Sequence, residues 1–241
     1  VILPRAWLNQ EVRVELVKKT SEKILHEVLE IVEKHNALNE IIGVYLAGSY
    51  ARGEEDKESD IDILIVTSDT DREMIYYGVY NILIVSEELL KWKLENDLLP
   101  IGPMIKEAKA LLNLSYLRRI IINATGKNTS WYIKTTKDKL ELIKKALDKT
   151  SGKVDNRVVY SLVLRIRTLN IIHKLISGKE YSKKEFAKLI QRVSGSNNAY
   201  EAYLVVKRDN LDEKPLASKN EAQKLYAYLK KQLEIVRNLI R

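Results

Sequence analysis

Apolar positions recur at helical spacing over residues 10–35, with Val14, Val17, Ile24, Leu25, Val28, Ile31 and Val32 on one stripe. This pattern predicts an amphipathic helix, ended by Asn36–Asn39. The period then changes. Residues 41–47 form an apolar run that stops at Gly48-Ser49, and a polar turn leads to a second run, DIDILIV, at 60–66. Both read as strands, the second apolar apart from its two aspartates. A third extended segment, 79–86, follows Gly78. Ser86 followed by Glu87 and Glu88 is a helix-start signal, so a helix is expected over 86–96. Pro100, Gly102 and Pro103 punctuate the chain before a short helix expected over 104–112.

Beyond this point only helical periodicity is found. Residues 123–130, NATGKNTS, make the best linker candidate. Helices are expected at about 130–149, 155–177, 182–194, 198–208 and 219–240, separated at Gly152, Gly178, Gly195 and Pro215. The last of them lines up Leu225, Leu229, Leu233, Val236 and Ile240. The predicted class is α+β: a small mixed sheet with helices over 1–113, a linker over 114–129 and an all-α helical domain over 130–241.

Composition narrows the class. The 241 residues are 45% apolar and 31% charged, which excludes a disordered chain. The chain has no cysteine, so disulfides, thiolate metal sites and a cysteine nucleophile are ruled out. No apolar run reaches the roughly 18 residues of a membrane span, and a cytoplasmic protein is the default expectation. The net charge of +8 divides unevenly. Residues 1–113 carry 13 basic and 21 acidic side chains, residues 114–241 carry 28 and 12. An acidic half beside a basic half suggests a polyanion handled between two modules, although Lys-rich helices also have ordinary solvated faces.

The candidate chemistry lies in residues 47–66, AGSYARGEEDKESDIDILIV. A strand delivers the chain into Gly48-Ser49, where glycine permits close approach and Ser49 adds a hydroxyl beside backbone N–H groups. Asp60 and Asp62 follow on the next strand. Period-two geometry puts both carboxylates on one face, with Ile61, Ile63 and Ile65 on the other. Two adjacent aspartates repel unless a cation neutralises them, and oxygen donors without His or Cys favour Mg²⁺. Each half alone reads more readily as a plain turn or an exposed strand edge. The combination in this order is far more specific.

Gly48-Ser49, Ala51-Arg52-Gly53 and Asp60-Ile61-Asp62 together resemble the signature of the DNA polymerase β-like nucleotidyltransferase superfamily. The GSYARG form is similar to its minimal and kanamycin nucleotidyltransferase-like members. The resemblance covers about residues 10–112 and is only general over 130–241. It implies transfer of a nucleoside monophosphate from an NTP, usually ATP, to an acceptor hydroxyl or phosphate, with pyrophosphate leaving. It also implies that Gly48 and Ser49 hold the β- and γ-phosphates and that Asp60 and Asp62 ligate Mg²⁺. Arg52 would steady the triphosphate, or else pair with Glu54 or Glu55 in the turn. Relatives often pair into dimers. The family usually places a third carboxylate on the following strand, and alignment puts Asn81 there. Glu87 and Glu88 are the nearest acids, but both read better as helix-start charges.

Other residues carry weaker signals. Arg167 and His173 resemble the loose Arg…His motif of HEPN-type ribonucleases, against the commoner reading of His173 as a core-edge histidine. His26 and His35 have no metal-ligand spacing. Thirteen tyrosines against one phenylalanine are unusual. Stacking on a base is open to one or two of them, and core-boundary packing explains the rest. Lys183-Lys184, Lys207-Arg208 and Lys230-Lys231 are candidate anion contacts or solvated faces. The leading expectation is a Mg²⁺-dependent nucleotidyltransferase acting on a small molecule, protein or RNA. Its rivals are a catalytically degenerate nucleotide- or nucleic-acid-binding module and a toxin–antitoxin component.

Overall fold

The computed structural model describes residues 5–8, 10–11, 19–35, 40–56, 59–209 and 214–240. The first long helix, α1, spans Ser21–Lys34 and begins where the Thr20 hydroxyl accepts the Lys23 N–H at 3.3 Å. It is therefore shorter than the expected 10–35. Gln10, Glu11, Lys19 and Thr20 are not helical, while Val14, Val17 and Asn36–Asn39 lie outside the described residues. Its apolar stripe buries Ile24, Val28, Ile31 and Val32.

Strand β1 (Ile41–Ala47) runs into a five-residue helix, α2 (Gly48–Arg52), and β2 (Ile61–Thr67) returns antiparallel to β1. Strand β4 (Tyr80–Ser86) pairs with β2 in parallel. Two edge strands escaped the sequence pattern. β3 (Arg72–Tyr77) forms a hairpin with β4 around Gly78, whose φ is +57°. Its charged opening residues hide the alternation that marks a strand. The helix expected over 104–112 is corrected as well. Helix α3 (Glu87–Asn96) is followed by α4 (Leu98–Glu107), and Lys109–Leu112 is a strand, β5, on the free edge of β1. Pro100 falls in the first turn of α4, where a missing N–H costs no hydrogen bond. Punctuation that looked like a break lies within a helix. Four residues such as β5 are too few to show a period, so only pairing reveals them.

The sheet order is β3-β4-β2-β1-β5, and both of its faces are covered. Ile61, Ile63, Ile65, Ile82 and Ile84 pack with Val28 and Val32 of α1. On the opposite face Tyr45, Leu64, Val66 and Val85 pack with Leu90 of α3 and with Ile101 and Ile105 of α4. Burial on both sides explains why β2 reads as a continuous apolar run.

Residues 114–129, expected as a linker, contain a short helix, α5 (Leu114–Leu117), and the first turn of α6 (Gly126–Lys149). Helices α7 (Asn156–Ile176), α8 (Lys183–Ser194), α9 (Asn198–Lys207) and α10 (Lys219–Leu239) follow close to the expected bounds. They share a separate core that includes Leu140, Leu162, Ile166, Leu169, Leu225 and Leu229. Two polar contacts fasten the start of α6 to the first half. Asn128 Nδ2 donates to the Leu94 carbonyl at 2.7 Å, and the Tyr132 hydroxyl donates to Asp97.

Candidate active site

Three central strands end in a single row. Antiparallel register sets Ala47, the last residue of β1, opposite Asp62, and parallel register sets Asp62 opposite Asn81 of β4. Gly48 therefore turns the chain immediately beside Asp62. Asn81 Nδ2 donates to Asp62 Oδ1 at 3.2 Å. Asp60 lies exposed just before β2, and Asp62 is half-buried within it. Ile61 and Ile63 point into the α1-facing core, so the Asp62 carboxylate occupies the other face, as period-two geometry requires.

The contact between Gly48 and Asp62 is close. A Cβ placed on Gly48 would lie 2.0 Å from Asp62 Oδ2, and Gly48 adopts φ +67°, a conformation that favours glycine. Burial pushes the Asp62 carboxyl above its ordinary value. The Asn81 bond opposes that shift and the Asp60 charge adds to it. The pair is thus electrostatically frustrated, and its oxygen-only donors suit a hard divalent cation. Among the described residues no third His, Cys, Asp or Glu joins them in a cluster of metal-holding size. Glu87 is engaged by the Tyr116 hydroxyl at 3.2 Å and by Lys91 at 3.5 Å, in keeping with a helix-start role.

Arg52 is turned away from solvent into an ion-pair network. Its Nε donates to Glu54 at 3.0 Å and its Nη1 donates to Glu107, while the side chains of Arg52, Glu54 and Glu107 are 14%, 10% and 9% exposed. The Gly48 N–H donates to the other Glu107 oxygen at 2.8 Å. Of the two roles expected for Arg52, the geometry supplies the pairing with Glu54. It adds Glu107, which sequence reading had missed.

Glu54 also joins the two halves. Its carboxylate accepts the Ser182 hydroxyl and the Lys183 N–H (2.9 Å) at the start of α8. Burial alone would raise this carboxyl, but the bonds from Ser182, Lys183 and Arg52 outweigh it and hold the group at about 2. A carboxylate with a depressed folded value adds stability that is complete above its unfolded value. That stability is lost as pH falls through about 4 towards 2. Glu54→Gln is expected to cost on the order of 2–3 kcal/mol at pH 7, and little at pH 2.5. Thermal melts of both proteins across this range check it.

The helical half brings cations and the Tyr181 ring to its junction with the first half. Lys207, at the end of α9, lies within electrostatic reach of both Asp60 and Asp62. Partial dehydration, then the charges of Arg167 and Lys183, lower its ammonium below the ordinary lysine value. Arg167 Nε donates to the Tyr181 hydroxyl at 3.2 Å, and the guanidinium groups of Arg52 and Arg167 lie 5.6 and 5.3 Å from the Tyr181 ring centre. Tyr160 and Tyr203 stack at 5.3 Å, and Tyr200 joins them at 5.9 Å from Tyr203. Packing within the helical half thus explains these three. His173 lies in the last turn of α7, six residues beyond Arg167, which places the two about 120° apart around the helix.

With this geometry in view, comparison with known proteins decides the family. Residues 25–177, more than half of the chain, match the nucleotidyltransferase domain family. The chain belongs to that family. It is similar, at 45% identity over 47 residues, to MJ1379 of Methanocaldococcus jannaschii, a proposed protein adenylyltransferase; the match covers 18% of this chain and 47% of that protein. The chain thus spans about half the length of the curated relative it matches. Among solved structures it is similar to the spectinomycin adenyltransferase AAD(9) of Enterococcus faecialis with ATP and spectinomycin. That likeness has 16% identity and a TM-score of 0.47, covering 89% of this chain and all of the other. The expected superfamily resemblance and the mixed sheet followed by helices are therefore borne out. Among the described residues no helix is long and apolar enough to cross a membrane.

Glu107 left no usable trace in the sequence, because its partners Gly48 and Arg52 lie 59 and 55 residues earlier. Lys207 was visible only as one member of a basic pair.

Proposed function

We propose that this protein is a Mg²⁺-dependent adenylyltransferase that uses ATP in the cytoplasm and releases pyrophosphate. The observation that carries this reading is the row Ala47–Asp62–Asn81, with Gly48 turning the chain against Asp62, Asp60 beside it and Lys207 within electrostatic reach. The Gly48-Ser49 turn would receive the β- and γ-phosphates on the Ser49 hydroxyl and backbone N–H. Asp60 and Asp62 would hold the metal, whose charge would neutralise the triphosphate and polarise the α-phosphate. Lys207 would add a cationic wall on the helical side, drawing a polyanion into the cleft. The division into a nucleotidyltransferase domain over 1–113 and a helical substrate-binding domain over 130–241 belongs to this proposal, and so does dimer formation. A small molecule, a protein hydroxyl and an RNA end are all acceptable acceptors, and the names of the two similar proteins put the first two forward.

The test is label transfer from α-labelled ATP with Mg²⁺ to three acceptor pools: spectinomycin-type small molecules, proteins and RNA. Labelled product with pyrophosphate release, absent in the doubly substituted Asp60→Asn/Asp62→Asn protein, supports the reading. Equal transfer by the substituted protein contradicts it.

Asn81 favours a second reading, a module that binds Mg²⁺·ATP without turnover. Its neutral amide bonds Asp62 where a carboxylate would strengthen the metal site and supply a base. Asn81→Asp is expected to tighten Mg²⁺ binding about tenfold and to lower metal-free stability, because a third negative charge joins a repelling pair. Calorimetric Mg²⁺ titration and a metal-free melt measure both effects. Pyrophosphate release by the wild-type protein excludes the second reading.

A further inference from the structure

We propose that Glu107 is a positioning residue for the phosphate-binding turn, clamping both ends of α2 so that Ser49 is held facing the nucleotide. The proposal rests on the nucleotide site described above.

Helix α2 has only five residues, too few to be stable alone; its first residue, Gly48 (φ +67°), and its C-cap, Gly53 (φ +67°), both lie in the left-handed region. Such a turn needs support from outside itself. Glu107 provides it with both oxygens. One accepts the Gly48 N–H at 2.8 Å and the other accepts the Arg52 guanidinium, so a single carboxylate ties the first and last residues of α2 together.

The carboxylate itself stands on rigid elements. Glu107 is the last residue of α4, and two residues later Lys109 pairs with Leu46 of β1, directly before the turn. The backbone that carries Glu107 is thus fixed to the strand that carries Gly48. Burial raises the Glu107 carboxyl, Arg52 pulls it back and the Asp62 charge adds to the rise. A buried ion pair of this kind adds little net stability compared with an apolar replacement. Its position against both ends of α2 fits geometric control of the turn better than a stabilising role.

The experiment compares calorimetric binding of Mg²⁺·α,β-methylene-ATP and of AMP to the wild-type protein, Glu107→Ala and Glu107→Gln, with thermal melts to confirm folding. Hydrogen exchange of the Gly48 amide is followed in the same proteins. The wild type should prefer the triphosphate and protect the Gly48 amide. Glu107→Ala should lose tenfold or more of its triphosphate affinity, leave AMP binding unchanged and expose that amide to exchange. Glu107→Gln keeps an oxygen for the Gly48 N–H but loses the charge facing Arg52, so it should fall between the two. It decides the matter if Glu107→Ala does not fold.

Triphosphate affinity within twofold of wild type in a folded variant would overturn the proposal. So would a parallel fall in ATP-analogue and AMP affinity, the mark of a merely structural role, or free exchange of the Gly48 amide in the wild type. A wild type with a protected Gly48 amide but no preference for the triphosphate would instead count against the nucleotide-site reading.

Discussion

Asp62→Asn is expected to lower nucleotidyl transfer by a factor of about 10³ or more, while leaving the metal-free protein at least as stable as the wild type. The two halves of this result have one cause. Asp62 is half-buried beside Asp60, with a neutral bond from Asn81, and the Arg52 and Lys207 charges do not offset its burial. Its folded carboxyl is raised, first by burial, so the charged form is disfavoured on folding. A raised carboxyl costs stability at pH values above its folded value, and that cost disappears below the unfolded one. Asparagine keeps the shape and removes the charge. A rise in melting temperature of about 2–4 °C at pH 7 without metal is therefore expected, as about 1 kcal/mol produces in a chain of this size. Added Mg²⁺ should close the gap by stabilising only the wild type. A transfer assay and melts with and without Mg²⁺ read both halves. A variant that loses activity and also melts well below the wild type without metal would show that Asp62 serves the fold.

Gly48→Ala carries the second large effect. Alanine at φ +67° costs about 1–2 kcal/mol, and its Cβ would meet Asp62 Oδ2 at 2.0 Å and Cγ at 2.9 Å. Asp62 cannot swing away cheaply, because its neighbours Ile61 and Ile63 are fully buried in a central strand. Either the carboxylate leaves the metal-holding position or the turn carrying Ser49 moves. Transfer should fall by about 10² or more, with a loss of about 2–4 kcal/mol in stability. Gly178→Ala is the control, since Gly178 has φ +66° with nothing within 4 Å of an added Cβ. It should lose about 1 kcal/mol and keep its activity. Equal loss of transfer in both variants would locate the effect in backbone strain alone.

The legibility of the site in the sequence follows the range of each interaction. Gly48, Ser49, Asp60 and Asp62 lie within fifteen residues, where strand period and glycine chemistry act locally. Asn81 was singled out through the family resemblance, which expects a third carboxylate at its place on the following strand, and the parallel register of β2 and β4 sets it opposite Asp62. Arg52 was visible, but its commitment to Glu107 was not, since that pair forms only when α4 packs beside α2. The edge strands β3 and β5 were missed for a related reason. Edge strands owe their existence to the neighbour they pair with, and their own residues show little alternation. The uneven charge along the chain implied an anion between the halves. Only the fold brings Lys207 within electrostatic reach of Asp60 and Asp62, with Glu54 fastening α8 across the same junction.

The central claim is that Asp60, Asp62 and the Gly48-Ser49 turn form one metal–triphosphate site. The most direct measurement is a crystal structure with Mn²⁺ and α,β-methylene-ATP, in which the anomalous signal locates the metal. The account predicts an anomalous peak bonded to carboxylate oxygens of both Asp60 and Asp62, with the triphosphate against Ser49. A nucleotide seated elsewhere, or a metal that touches neither aspartate, would contradict it.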